Sequence, residues 1–388
     1  MAENGAQNPL STQDTKFVRR PVAILGVPVD SFRMNEVLDL IDEFIKVGGI
    51  HQIATANTDF LLKSHQDPEL RRILRRCDLV VADGMPLVLA SKWLRCPIPE
   101  RVTGADLVPM LAERAAQKGY RIFMLGARQE VADRARVVLE TNNPGIQIVG
   151  QYSPPPADIS KMDNQNILTQ IEASKPDILL VAFGNPKQEK WISMLRDALT
   201  VPVCIGIGGT FDFIAGEIPR APKWVQTIGM EWFYRFLQEP NRMFSRYYND
   251  IVFFGRHIQK QIDLMKVRPV IDECSVVTKV MSGKSAIIAS GNFELAASNL
   301  LGDELYRVVG ESDDIILSMA DVEYIDSSAL GSILITAAKC RRLNKQFVIT
   351  GAKRQPLWSM EFAGVLEDAE IARTLTDGLA GRLVKAKE

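Results

Sequence analysis

Short apolar runs alternate with segments whose apolar positions recur at helical spacing through most of the chain from Val22. VAILGV (22–27), HQIATAN (51–57), LVVAD (79–83), RIFMLGA (121–127), IQIVGQY (146–152), DILLVAFG (177–184) and VPVCIGIGG (201–209) predict strands. Between them, 35–47, 67–76, 105–118, 129–140 and 187–199 predict helices. This alternation implies an α/β unit, a Rossmann-like, mainly parallel sheet with helices on both faces. Such sheets bind ligands at the carboxyl ends of their strands. Thr55, Asn57, Asp83, Gly126, Gly184 and Gly209 fall there.

The pattern changes near Gly229. Nine of the 28 aromatic residues lie between Trp232 and Phe254, interleaved with Arg235, Arg242 and Arg246 and followed by Arg256. Such a mixture fits a helical appendage, either lying in a membrane interface or packed on the sheet with its arginines solvated. Past Pro269 a second, smaller α/β unit begins. VVTKVM (276–281), SAIIAS (285–290), IILSM (315–319) and FVITG (347–351) predict strands, and 295–308 and 327–343 predict helices. The expected organisation is a disordered tail over 1–20, a catalytic unit over 21–229, the appendage over 230–268 and the distal domain over 269–388.

Charge narrows the function. Forty-six basic residues nearly balance 47 acidic ones, so no net field favours nucleic acid. The five cysteines are scattered and odd in number, and only three histidines occur. This predicts buried thiols in a reducing compartment, with no metal site and no histidine-based triad. The polar first twenty residues lack a signal-peptide core, and no stretch is apolar for long enough to cross a bilayer, so a cytoplasmic protein is expected.

Neither GxGxxG after the first strand nor GxxxxGK[ST] occurs, which argues against an NAD-dependent enzyme or a P-loop NTPase. An Asp-x-Asp clamp for a metal-bound diphosphate is also missing from the proximal half. A diphosphate would have to be held by amides, helix N-termini and arginines. RVTGADL places Arg101 and Thr103 just before a helix. FGNPKQEKW ends a strand at Gly184, with Pro186 at the expected first helical position. GIGGTFDFIAGEIPRAPKW adds a third glycine-bearing strand end, followed by Asp212 and Arg220. In LVVADGMPLVL, Asp83 reads locally as an N-cap for the next helix, with Pro86 in its first turn, or as a group that does chemistry.

The order ATANTDF, VVADGMPLV, RVTGADL, MLGA, FGNPKQEKW, GIGGTFDFIAGEIPRAPKW, EWFYRFLQEPNRMFSRY resembles the WecG/TagA/CpsF family of bacterial glycosyltransferases over about 22–260. The resemblance implies inverting, cofactor-free and metal-independent sugar transfer at the inner face of the cytoplasmic membrane. The donor would be a UDP-sugar of N-acetylmannosamine type or a relative of it, and the acceptor a polyprenyl-diphosphate-linked sugar in cell-surface polysaccharide or exopolysaccharide synthesis. It implies that Asp83 is the general base, that Thr55 is a second catalytic residue and that Asn57 lines the sugar pocket. Gln188 and Asp212 would lie near the nucleotide sugar. Arg235 and Arg242 would close over the diphosphate and touch the membrane, and a further family arginine falls near Ser245-Arg246.

In the distal unit, DVEYIDSSALGSILITAAKCRRL sets Asp326-Ser327-Ser328 at a helix start, an ordinary cap by composition. The segment, with GNFE at 291–294, resembles the STAS domain of anti-sigma-factor antagonists over about 275–380. That resemblance implies a docking or regulatory module, with Ser327 matching the serine that a partner kinase phosphorylates, although Ala329 replaces the usual glycine. A catalytically inactive scaffold acting through this domain is the alternative to an enzyme, and retention of Thr55, Asp83, Gln188, Asp212 and Arg235 argues against it.

Overall fold

The computed structural model of the chain describes residues 18–222, 225, 234, 240–266, 273–312 and 314–384, with only the helical backbone of 240–249. The first apolar run is not one strand. It folds into an antiparallel hairpin, β1 (Pro21–Ile24) and β2 (Val27–Asp30), apart from the main sheet. Leu25 and Gly26 both turn with positive φ, 50° and 80°, the two-residue geometry whose twist matches antiparallel strands. Part of the expected tail is held as well, since Arg19 pairs with buried Asp30 at 2.6 Å. The rest of that expectation, 1–17, lies outside the described residues.

The six remaining proximal strands are all parallel, in the order β4-β3-β8-β7-β5-β6. They are β3 (His51–Ala56), β4 (Leu79–Ala82), β5 (Arg121–Gly126), β6 (Gln147–Tyr152), β7 (Ile178–Ala182) and β8 (Val203–Gly206). Ile53, Val81, Ile122 and Ile205 point to one face and pack on α1 (Met34–Val47), α5 (Gly104–Lys118) and α6 (Gln129–Asn142). On the other face, Phe123, Leu179 and Cys204 meet α7 (Asn164–Ser174) and α8 (Lys187–Met194). Helix α8 stops at Met194, short of the expected 199, and is capped by Pro186 rather than starting on it. Three more helices, α2 (Thr58–Gln66), α3 (Pro68–Arg76) and α4 (Met85–Trp93), flank β3 and β4. A short α9 (Thr210–Ile214) follows β8, and the long α10 (Pro240–Lys266) carries the chain to the distal domain.

That domain is a five-stranded sheet in the order β13-β12-β11-β10-β9, with only β9 (Ser275–Met281) antiparallel to its neighbour. The others are β10 (Lys284–Phe293), β11 (Ile315–Ile325), β12 (Phe347–Thr350) and β13 (Glu370–Ala372). Its helices are α11 (Ala296–Glu311), α12 (Ser327–Arg342), α13 (Arg354–Ala363) and α14 (Leu375–Leu379).

One apolar core runs through both units. Val80 and Ala82 of β4, Leu61 of α2, Leu74 of α3, the hairpin valines, and Leu330 and Ile333 of α12 belong to a single buried cluster. A charged group trapped in this junction is well partnered. Fully buried Arg75 donates to the carbonyls of Gly26, Ala363 and Gly364 and to the carboxylates of Glu367 and Asp368, at 2.7 to 3.3 Å. Arg75→Met is expected to take the donor from Gly26 O and Ala363 O while Asp368 keeps Arg341 and Gly364 O keeps the amide of Glu367, lowering stability in urea denaturation by about 2 kcal/mol or more.

Candidate active site

The carboxyl edge of the parallel sheet opens into a cavity of about 1120 Å³, larger than most small-ligand sites. Thr55, Asn57, Asp83, Arg101, Thr103, Gly184, Gln188 and Asp212 all border it. These residues come from four strand ends and the segment before α5, so the fold rather than the sequence brings them together.

Asp83 follows the last residue of β4, and its amide continues the ladder by donating to Ala56 O at 2.8 Å. It is half-buried at the cavity wall. The N-cap of α4 is Gly84, one residue later, with Pro86 in the first turn as expected, so the local capping role expected of Asp83 is not realised. Gly84 also has a steric reason: a Cβ there would lie 3.3 Å from the Cβ of Asn57. Asn57 is the residue that caps, its Oδ1 accepting from the amides of Asp59 and Phe60 at 3.1 and 3.3 Å. On β3, Thr55 is buried, and its hydroxyl donates to Gly206 O of the neighbouring strand at 3.2 Å.

Opposite these, Thr103 caps α5 through Asp106, accepting from its amide at 3.1 Å and donating to its carboxylate at 2.7 Å. Asp106 is also bridged to Arg220 at 2.7 Å and lies 4.0 Å from Arg101. Burial pushes its carboxyl up, but the bonds from Arg220 and Thr103 and the nearby arginine charges outweigh this and hold it below its usual range. The result is a helix N-terminus flanked by two guanidinium groups, a setting that favours an anion.

Gln188 borders the cavity and also ties its floor together. It is buried, and its Oε1 accepts from Gly184 N at 3.1 Å and Gly208 N at 2.9 Å, tying the loops after β7 and β8 together. Its Nε2 donates to Glu189 Oε1 at 2.8 Å, while Asn185 Nδ2 donates to Glu189 Oε2 at 3.2 Å. Glu189 was not legible as part of the site, because Pro-Lys-Gln-Glu reads as an ordinary charged first turn.

Gly126 is not among the residues around the cavity. Its φ is 100°, and a Cβ would lie 2.8 Å from Ala182 O, so glycine serves the packing of β5 on β7. Arg235 lies outside the described residues, as do the side chains of Arg242 and Arg246. Ser327 lies in the distal domain, wholly buried and bonded to Gln261. The sequence reading missed the apolar lip: Leu89, Trp93 and Ile251 border the cavity yet are 40%, 55% and 59% exposed. Among the described residues, no cluster of His, Cys, Asp or Glu could hold a metal, and no helix is long and apolar enough to cross a membrane.

The family model of the glycosyl transferase WecG/TagA/CpsF family matches residues 22–266. The chain belongs to this family. A STAS domain model matches 276–378. Two relatives are named N-acetylglucosaminyldiphosphoundecaprenol N-acetyl-beta-D-mannosaminyltransferase. One, from Bacillus spizizenii, is 35% identical over 190 residues, 49% of this chain and 72% of its own. The other, from Bacillus subtilis, is 30% identical over 222 residues, 56% and 84%. An anti-sigma factor antagonist structure from Mycobacterium paratuberculosis aligns with 28% of this chain and 93% of its own, at 17% identity and a TM-score of 0.27. The WecG/TagA/CpsF match ends in the last turn of α10, so it takes in the helix that carries Ile251 to the cavity lip.

Burial pushes the Glu189 carboxyl up to about 7, against the pull of the Gln188 and Asn185 amides and of Lys63. The folded chain therefore keeps a proton that the unfolded chain releases from about pH 4.5, and stability falls as pH rises from there to about 7. In Glu189→Gln the new amide has a buried acceptor to meet, Asn185 Oδ1, which has no hydrogen-bond partner among the described residues. The variant is expected to match the parent at pH 4 and to exceed it at pH 8 by on the order of 3 kcal/mol in urea denaturation.

Proposed function

We propose that the chain transfers a sugar of N-acetylmannosamine type from a UDP-sugar to a polyprenyl-diphosphate-linked sugar, with inversion, at the inner face of the cytoplasmic membrane. The observation that carries this reading is the convergence of Asp83 and Thr55 with the Arg101–Thr103 helix start around one cavity of a chain in this family. The relatives' names supply the acceptor, an N-acetylglucosaminyl diphosphoundecaprenol.

In this mechanism the acceptor hydroxyl attacks the anomeric carbon from the face opposite the nucleotide. A carbon–oxygen bond forms as the bond to the diphosphate breaks, and its electron pair leaves on UDP. Asp83 accepts the hydroxyl proton in the same step. A base at a strand end is held by the sheet ladder, which limits the misalignment that costs rate. Negative charge growing on the diphosphate is met by Arg101 and the free amides at the start of α5, donors already in place before the reaction. Thr55 orients the sugar from the strand beside Asp83. Leu89, Trp93 and Ile251 give the mouth an apolar lip of the kind that meets a lipid tail or a membrane surface. The distal domain serves docking or regulation.

Mass spectrometry of lipid-linked product, with UDP release from a panel of UDP-sugars, tests the reading and separates it from an inactive scaffold. Turnover is expected to persist in EDTA. Asp83→Asn is expected to keep its fold and UDP-sugar affinity while turnover falls about a hundredfold or more. Near-parental turnover in that variant would remove Asp83 from the mechanism.

A further inference from the structure

The two helices at the cavity mouth, α4 and α10, both end against the same pair of residues in the distal domain. Gln261, 1% exposed on α10, uses its whole amide there. Its Nε2 donates to Ala23 O at 2.7 Å and to Ser327 Oγ at 3.1 Å, and its Oε1 accepts from Leu25 N at 2.9 Å. One turn on, Met265 O accepts from Tyr324 Oη at 3.1 Å, at the end of β11. From the other side, Cys96, just past α4, sets its thiol 3.4 Å from Asp326 Oδ2. Asp326 is itself buried, its Oδ1 capping α12 through the amides of Ser328 and Ala329 at 2.9 and 2.8 Å. Gly331 lets α12 approach the hairpin so closely that a Cβ would lie 2.9 Å from Pro21 O.

We propose that the distal domain is an intramolecular clamp on the mouth of the cavity: the start of α12 backs the hairpin, and Gln261 is the positioning residue that ties α10 to the two together. Asp250, Ile251, Phe254 and Ile258 of α10 border the cavity on turns just before Gln261. Met85, Pro86, Leu89 and Trp93 of α4 border it on turns before Cys96. Fixing Asp326–Ser327 therefore fixes both lips. Ser327 has no exposed surface, so a charge placed there has no water to enter, and the start of α12 must move off Gln261 to solvate it. The clamp rests on the reading of the cavity as the transfer site, with the lips meeting the lipid-linked acceptor.

The test uses the full chain, with Ser327→Ala and Ser327→Glu, and with Gln261→Leu to remove the hub without adding charge. Circular dichroism checks folding. Amide exchange is followed over 84–96 and 250–266, and KM for the lipid acceptor is measured apart from kcat. Ser327→Ala is expected to stay within about twofold of the parent, since Gln261 keeps both hairpin bonds. Ser327→Glu is expected to speed exchange in both lips by about tenfold or more, and Gln261→Leu to do so over 250–266. In the same two variants, acceptor KM rises about tenfold while kcat stays within about threefold, as loss of ground-state positioning requires. Faster exchange confined to 295–330, with both lips and acceptor KM unchanged, would overturn the clamp. A parent chain inactive with every lipid acceptor would overturn the transfer reading instead, and the exchange result would still decide the clamp.

Discussion

A parallel sheet covered on both faces leaves its strands nowhere to place a polar side chain except at their ends. Val80, Val81 and Ala82 of β4, and Ile53, Ala54 and Ala56 of β3, are buried, so each strand is sealed up to the residue where its ladder stops. Every strand of such a sheet stops at the same edge. Thr55, Asp83, Gly184 and Gly208 are gathered because β3, β4, β7 and β8 run the same way. The cavity follows from strand direction, and its chemistry from which residues those ends carry.

Beneath the cavity floor lies a polar group that the core would be cheaper without. Glu189 is buried with its proton affinity raised, a cost that a leucine would not incur. What the chain gains is order in the two glycine loops, because Glu189 fixes the amide of Gln188, and Gln188 fixes Gly184 N and Gly208 N. Gly184 and Gly208 have φ of 76° and 55°, conformations that glycine adopts freely but does not hold by itself, so a tie fixes them. Buried polar groups at a site thus replace reorganisation during binding with a cost in stability met at folding.

Strand identity was legible where an apolar run was bounded by turn residues, as for DILLVAFG. It failed for VAILGV, because Leu25 is apolar and hides a turn that Gly26 alone does not announce. The place of Asp83 at the cavity wall was legible, since a position at a strand end does not depend on distant contacts. The alternative that read it as a helix cap misses by one residue, the margin by which helix starts commonly shift. Gly126 shows the opposite limit. It sits in a glycine-bearing segment at a strand end, and only packing separates a residue that makes room for a neighbouring strand from one that borders the cavity. The burial of Ser327 depends on Gln261, 66 residues earlier, which no local pattern reveals.

One feature of α12 does announce the junction. A helix covering a single face of a sheet needs one apolar stripe, with polar residues opposite. In α12, Leu330, Ile333, Leu334 and Ala337 are buried, but so are Ala329, Gly331, Ser332, Thr336 and Ala338, which leaves almost no solvent face before Arg341. Such a helix is sandwiched, with the domain's own sheet on one side and the hairpin and α3 on the other. Separating the domains would bare that second side to water at about 25 cal/mol for each Å² of apolar surface. It would also take from Arg75 every acceptor it has across the junction, Ala363 O, Gly364 O, Glu367 and Asp368, and leave it only Gly26 O. A sequence that keeps both sides of this helix apolar and small is therefore one in which the two domains are built to remain in contact, and the small residues are what let the hairpin approach.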